Sequence, residues 1–282
     1  MHSPTVTIVL PVKNCSDYLQ ATINSVLAQT YKDFELLIIL DYADASTAAI
    51  AYGSRDVDDR IAVFPNTRPA GLANALNYGI SLSKAKYIAR IDGDDICAPN
   101  RIKTQLALIN QSPGTGLVFS SFSTIDKHGA CLRRYRIGCI RSSFLFFLFA
   151  SFPPHSTALF DRELFNELGN YDEDYLRAQD RDLWLRFSKV CRICVAREQL
   201  VEIRRHSMGS SQSPSGSLLQ KHYFILSTLS YFYPRLARNK LQSLITASSH
   251  ILQFFPMNIR GKRLFTYLQL LILLTLIFVK VV

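Results

Sequence analysis

The sequence predicts an α/β sandwich built on a largely parallel sheet, and three observations carry that expectation. Short apolar runs alternate four times with segments of helical periodicity, the pattern of strands joined by helical crossovers. Several of these runs stop at Pro or Asp, and in such sheets ligands bind beyond the carboxyl ends of the strands. The 282 residues are 48% hydrophobic and 19% charged, a globular composition with enough chain to bury a large core unaided.

Thr5 to Leu10 is β-branched and apolar and reads as a buried strand ended by Pro11. A helix follows, capped by Ser16 or Asp17, with Tyr18, Ile23, Val26 and Leu27 on one face. Phe34 to Leu40 is the second strand, closing on Asp41 with Asp44 just behind, and Ala45 to Ala51 is helix-compatible. Ile61 to Phe64 makes a short third strand before Pro65. Gly71 to Leu82 opens on glycine and sets Leu72, Ala75, Leu76 and Ile80 along one side, so it reads as helix. Tyr87 to Ile91 is the fourth strand and runs straight into Asp92-Gly93-Asp94-Asp95, after which Pro99 starts a helix reaching about Asn110.

The second half changes character. Leu117 to Phe122, His155 to Phe160 and Leu200 to Arg204 read as strands, Asn170 to Tyr175 as an acidic turn, and Asp180 to Lys189 as a helix packed through Leu183, Trp184 and Phe187. The apolar block Phe144 to Phe149 is too short to cross a bilayer and suits a core or a lipid-facing rim.

The acidic cluster carries the chemistry. Like charges that close disfavour joint ionisation, and a bound cation resolves the conflict. Hard divalent cations take oxygen ligands, and Mg²⁺ in particular is held by one or two carboxylates plus substrate phosphates. A solvated turn uses the same residue types, so the cluster by itself leaves both readings open. The six cysteines form no dense framework and read as reduced thiols of a cytoplasmic protein. Cys191-Arg192-Ile193-Cys194 is a lone pair without a second ligand pair. Met1-His2-Ser3-Pro4 has neither the charged start nor the apolar stretch of a signal peptide.

Charge divides the chain unevenly. Residues 201–282 hold ten Lys or Arg against Glu202, which is +9 of the net +10. These cations are interleaved with Leu, Ile and Phe, a composition for an anionic membrane surface and not for nucleic acid. The division expected is a body over residues 1–210, a Ser/Gly linker at 211–217, and a basic, aromatic-rich helical region over 218–282. Its apolar stretch at 264–282 reaches ~28 Å as a helix, against ~30 Å of hydrocarbon, so spanning and lying in the interface are both open. Arg260, Lys262 and Arg263 belong on the cytoplasmic side in either case.

Five segments in colinear order, VTIVLPVKN, LLIILDYADAST, GLANALNYGI, YIARIDGDDICAPNRI and YDEDYLRAQDRDLWLRFS with VEIRRHS behind it, together resemble the family 2 glycosyltransferases. A DxD alone is weak; five motifs in order on strand ends and helices are specific. The resemblance covers about the first 210 residues and implies a GT-A fold, a Rossmann-like three-layer α/β/α domain. It implies inverting transfer of one sugar per event from a nucleotide-diphosphate donor, most simply a UDP-sugar, to a hydroxyl of a glycan or lipid-linked acceptor, with Mn²⁺ or Mg²⁺ at the diphosphate. Such a setting is surface-polysaccharide synthesis at the cytoplasmic face of a membrane.

By the same resemblance Asp92 and Asp94 are the DxD pair facing ribose and metal, Asp94 the more direct ligand, and Asp95 a third acid or a helix cap. Gly93 would let phosphate approach the backbone. Pro11, Val12 and Lys13 line the nucleoside pocket; Asp41 or Asp44 meets the base, the downstream spacing favouring Asp44. Asp180 is the acceptor-side base, with Gln179 standing where the family carries Glu and Asp182 as its rival. Arg204, Arg205 and His206 form a basic strand end near the diphosphate, His206 with a metal or phosphate contact. His155 reads as packing or acceptor-side. The chain lacks a QxxRW-like motif and a glycine-rich GxGxRxxP-like loop, which argues against processive synthases and sugar-1-phosphate nucleotidyltransferases. The competing reading from another class is a membrane-surface binding protein that keeps the fold without catalysis, supported by Gln179 and the irregular Asp41 to Asp44 stretch.

Overall fold

The computed structural model describes residues 3–138 and 153–206. The apolar block at 144–149, the linker at 211–217 and the basic region at 218–282 with its stretch at 264–282 lie outside the described residues. Among the described residues no helix is long and apolar enough to cross a membrane.

The first half is the expected alternation: β1 (Val6–Val12), α1 (Ser16–Leu27), β2 (Phe34–Leu40), α2 (Ala45–Arg55), β3 (Ile61–Pro65), α3 (Leu72–Leu82), β4 (Tyr87–Arg90), β5 (Ile96–Cys97) and α4 (Arg101–Gln111). The second half follows with β6 (Thr115–Ile125), β7 (Cys131–Tyr135), a 3₁₀ turn (His155–Thr157), β8 (Leu159–Asp161), α5 (Arg162–Glu167), α6 (Gln179–Val190) and β9 (Arg192–Arg204). The strands form a 9-stranded sheet in the order β3-β2-β1-β4-β8-β6-β9-β5, with β7 added on β6. Strands β3, β2, β1 and β4 are parallel, and β8 runs antiparallel between β4 and β6. Strand β8 joins the two halves, and β5 and β7 also run antiparallel to their partners β9 and β6.

Burial on both faces explains why β1, β2 and β4 are apolar apart from Thr7, Glu35 and Arg90. One core layer packs α1, α2 and α4 against one sheet face through Leu19, Ile23, Val26, Ala51 and Ile102. The other packs α3 and α6 on the opposite face through Leu76, Ile80, Leu183 and Trp184. Helix α3 meets the sheet closely at Gly79, where an added Cβ would lie 2.8 Å from Ile39 Cγ1 and Val9 Cγ1.

Several boundaries differ from expectation for physical reasons. Proline does not end β1, which continues through Pro11 to Val12. Val9 O accepts from Ile91 N on the β4 side, and Val12 O accepts from Asp41 N on the β2 side. Pro11 is in phase with Val9, so its donor-less nitrogen turns to the side where β4 has already ended, which costs no ladder bond. Neither Ser16 nor Asp17 caps α1; Cys15 holds that position without a side-chain bond. His155–Thr157 is a 3₁₀ turn, and the strand begins only at Leu159. Strand β9 spans 13 residues where the sequence marks only its last five, because the adjacent exposed charges Arg197 and Glu198 break the period-2 pattern in its first half.

Candidate active site

Everything that sequence placed at strand ends converges at the carboxyl ends of β1, β2 and β4. Asp92, Asp94 and Asp95 each offer an oxygen within 4.8 Å of the others, a group able to hold a metal ion. Three carboxylates so close need balancing charge, and each receives it differently.

Arg90 serves Asp92. It is 2% exposed, and its guanidinium takes both oxygens of the Asp92 carboxylate, Nη1 to Oδ2 and Nη2 to Oδ1. Nη1 also donates to Ser156 Oγ at 3.0 Å. Ser156 Oγ accepts from Asp92 N at 3.1 Å and donates to Asp95 Oδ2 at 2.5 Å. Asp95 is buried, accepts from Arg204 N at 3.0 Å, and is held well above the usual carboxylate range by burial and by the charges of Asp92 and Asp94. It does not cap α4, whose N-cap is Asn100. His206 Nε2 lies 2.8 Å from Asp94 Oδ2. Burial first, then the Asp92 charge, raises the Asp94 pKa, while His206 lowers it. A divalent cation would relieve the same repulsion, so the donor set of hard oxygens fits Mn²⁺ or Mg²⁺.

Arg204 arrives from the end of β9, donating through Nε to Asp94 O (2.9 Å) and through Nη1 to Asp126 O (3.0 Å). Tyr18 of α1 organises this basic end: the Arg204 guanidinium lies 4.6 Å from its ring centre and the His206 ring 4.9 Å. Gly93 has an intramolecular reason besides any phosphate, since a Cβ there would meet Cys15 Sγ at 2.7 Å. Burial, followed by the Asp94 charge, pushes the Cys15 thiol up to about 12, so it remains protonated. Cys191 is likewise pushed up to about 11, chiefly by burial. Both stay thiols, in keeping with packing roles.

At the carboxyl end of β1 Pro11 and Val12 are buried and Lys13 is exposed. Asp41 is buried and ties the 66–71 loop to β2: it accepts from Asn66 Nδ2 at 2.8 Å and from Gly71 N at 3.1 Å. Asp44 is the N-cap of α2, accepting from Thr47 N at 2.7 Å and Ser46 Oγ at 2.8 Å, which lowers its pKa. Asp41 thus shapes the 66–71 loop, while Asp44 is exposed at the start of α2.

Helix α6 begins after Ala178, which takes a left-handed φ of 58°. Asp180 lies in its first turn and accepts from Arg181 N at 2.8 Å. Burial raises its pKa; the Arg90 charge opposes that shift and the Asp92 charge adds to it, which puts Asp180 in the same electrostatic neighbourhood. Asp182 is committed elsewhere, paired with Arg186 at 2.7 Å. His155 is buried, with Nε2 2.7 Å from Tyr171 Oη, and desolvation holds its pKa well below the ordinary histidine value. Its surroundings are those of a packing residue.

Residues 7–169 match the family model described as Glycosyl transferase family 2. The chain belongs to that family, and it is a glycosyltransferase. It is 31% identical over 226 residues to the uncharacterized glycosyltransferase RT0329 of Rickettsia typhi, covering 77% of this chain and 69% of that one. To the O-antigen biosynthesis glycosyltransferase WbnJ of Escherichia coli it is 27% identical over 188 residues, 66% of this chain and 72% of the other. Among solved structures, Staphylococcus aureus TarS 1–349 in complex with UDP superposes with a TM-score of 0.63 at 14% identity, over 86% of this chain and 70% of that one. Mannosyltransferase PcManGT from Pyrobaculum calidifontis, in complex with GDP-Man and Mn²⁺, gives 0.63 at 14% identity over 96% and 81%. The shared fold is the GT-A-like α/β architecture of these transferases.

Sequence reasoning passed over Arg90, Ser156, Tyr18 and Asn77. Arg90 had a signal: residues 90 and 92 follow one another on the same face as the strand runs out, so a buried cation there was bound to meet the acid.

Proposed function

We propose that this glycosyltransferase moves a single sugar, with inversion, from a UDP-sugar to a hydroxyl of a glycan or lipid-linked acceptor, in surface-polysaccharide synthesis. The observation that carries the reading is the Asp92, Asp94 and Asp95 group at the end of β4, with Asp180 in the same electrostatic neighbourhood. Asp94, with His206 beside it, would hold the divalent cation, and Asp92 the hydroxyls of the donor. When bound, the cation supplies Lewis-acid neutralisation of the leaving diphosphate.

The residues of the chain do the rest. Arg204, Lys13 and the backbone at Pro11 and Val12 hold the nucleotide; Asp180 accepts the acceptor hydroxyl's proton. A half-buried aspartate with a raised pKa is a stronger base when ionised, and a positioned carboxylate contributes roughly 10²- to 10⁴-fold. The complexes of TarS with UDP and PcManGT with GDP-Man and Mn²⁺ support the donor class, and the naming of WbnJ supports the polysaccharide setting. The basic, apolar composition of residues 218–282 supports attachment to the cytoplasmic face of an anionic membrane.

The test is hydrolysis and transfer across a panel of nucleotide sugars, with and without Mn²⁺, for the wild type and Asp94→Ala. Expected is a UDP-sugar substrate, metal dependence, and loss of both in the variant. UDP binding indifferent to metal and to the substitution would refute the reading. Removing residues 218–282 should abolish sedimentation with anionic vesicles, and unchanged sedimentation would refute the membrane role.

A further inference from the structure

We infer that Arg90 is a positioning residue of this site, a built-in counter-ion that aims the Asp92 carboxylate and keeps it from competing for the metal. The inference rests on the donor-site reading given above. Arg90 is among the largest fully buried side chains of the molecule, and a guanidinium is seldom buried for packing alone. Its fork matches a carboxylate bidentately, which fixes the plane of Asp92 as a lysine could not. Ser156 Oγ, 3.0 Å from Nη1 and 3.1 Å from Asp92 N, locks both partners in place. The other acids whose charge acts on the fork are Asp95 and Asp180, and the neighbouring buried guanidinium of Arg101 is spent on the carbonyls of Arg90 and Ala158. With both Asp92 oxygens engaged, the carboxylate is presented edge-on for hydroxyl groups while Asp94 is left to the ion.

This reading makes a counter-intuitive demand. Removing Arg90 frees Asp92 and uncovers its charge, so the cluster should bind a bare cation more tightly while handling the donor less well. The test uses the full chain as Arg90→Met and Arg90→Lys, each checked for a native melt. Calorimetry with Mn²⁺ alone should show Arg90→Met binding about tenfold tighter than wild type, the order expected for one uncompensated charge at a few ångströms. Arg90→Lys, which keeps the charge but not the fork, should stay within about twofold. In both variants the KM for the nucleotide sugar, or UDP affinity in the presence of Mn²⁺, should weaken about tenfold, with kcat less affected.

Unchanged or weaker Mn²⁺ binding by a folded Arg90→Met overturns the inference. Should that variant not fold, Arg90→Lys decides, and a donor KM within about twofold of wild type overturns it. A wild type that turns over no nucleotide sugar would remove the proposed function instead, leaving the Mn²⁺ arm to decide on Arg90.

Discussion

Asn77 offers the sharpest stability test. This buried side chain on α3 clasps the backbone of Tyr171 from both sides: Nδ2 donates to Tyr171 O at 2.9 Å, and Oδ1 accepts from Tyr171 N at 3.0 Å. Nδ2 also reaches Glu173 Oε1 at 2.9 Å, and Glu173 pairs with Arg68 at the same distance. Asn77→Ala strands two buried backbone groups at once. Each buried unsatisfied group costs about 1–3 kcal/mol. Because one end of the network is open to water, we expect about 2–4 kcal/mol in total. For a domain of this size that is a fall in Tm of about 5–12 °C. Asn77→Asp should be worse, since a carboxylate would then face both the Tyr171 carbonyl and Glu173. Thermal and urea unfolding of the two variants measure this directly. An alanine variant melting within about 2 °C of wild type would show that the clasp is not what anchors the segment leading to α6. If the anchoring is right, kcat should fall more than donor KM rises, because Asp180 follows on that segment.

Asp180→Asn should retain donor binding and lose transfer by about 10²- to 10⁴-fold in single-turnover assays; equal turnover would remove it as the base. Its raised folded pKa, against 3.8 unfolded, means the native state holds the extra proton between the two values, so this carboxyl's contribution to stability is present below the unfolded pKa and lost as pH rises through the folded one. The amide should therefore melt higher than wild type at neutral pH, and the acidic limb of wild-type activity should sit above the ordinary aspartate range. Gly79→Ala gains helix propensity but drives a methyl into Ile39 and Val9, so we expect a net loss of about 1–3 kcal/mol in denaturant titration; a stabilised variant would mean that the sheet can yield there. Ala178→Gly relieves a left-handed alanine and should raise stability by about 1 kcal/mol, and a lower melting point would refute that strain.

Much of this protein is readable from its residues in order. Alternating apolar runs dictate parallel strands and crossover helices because only strands covered on both faces are so uniformly apolar. Charge clustered at the end of Tyr87–Arg90 marks the site because three adjacent acids are tolerable only where something answers them. What answers them is a matter of tertiary structure. Arg90 is legible two residues before Asp92, but Ser156 and the Arg204 to His206 end of β9 come from two distant places in the chain, and no spacing rule announces that they meet the acids. The same holds for Asp41 and Asp44, two acids three residues apart: one ties down a loop and the other caps a helix, a division set by which neighbours the fold brings near. Local periodicity, in short, reports how each segment hides its apolar side, and that is a property of the segment alone. Which buried charge faces which is a property of distances between segments, fixed only when the sheet closes around β4.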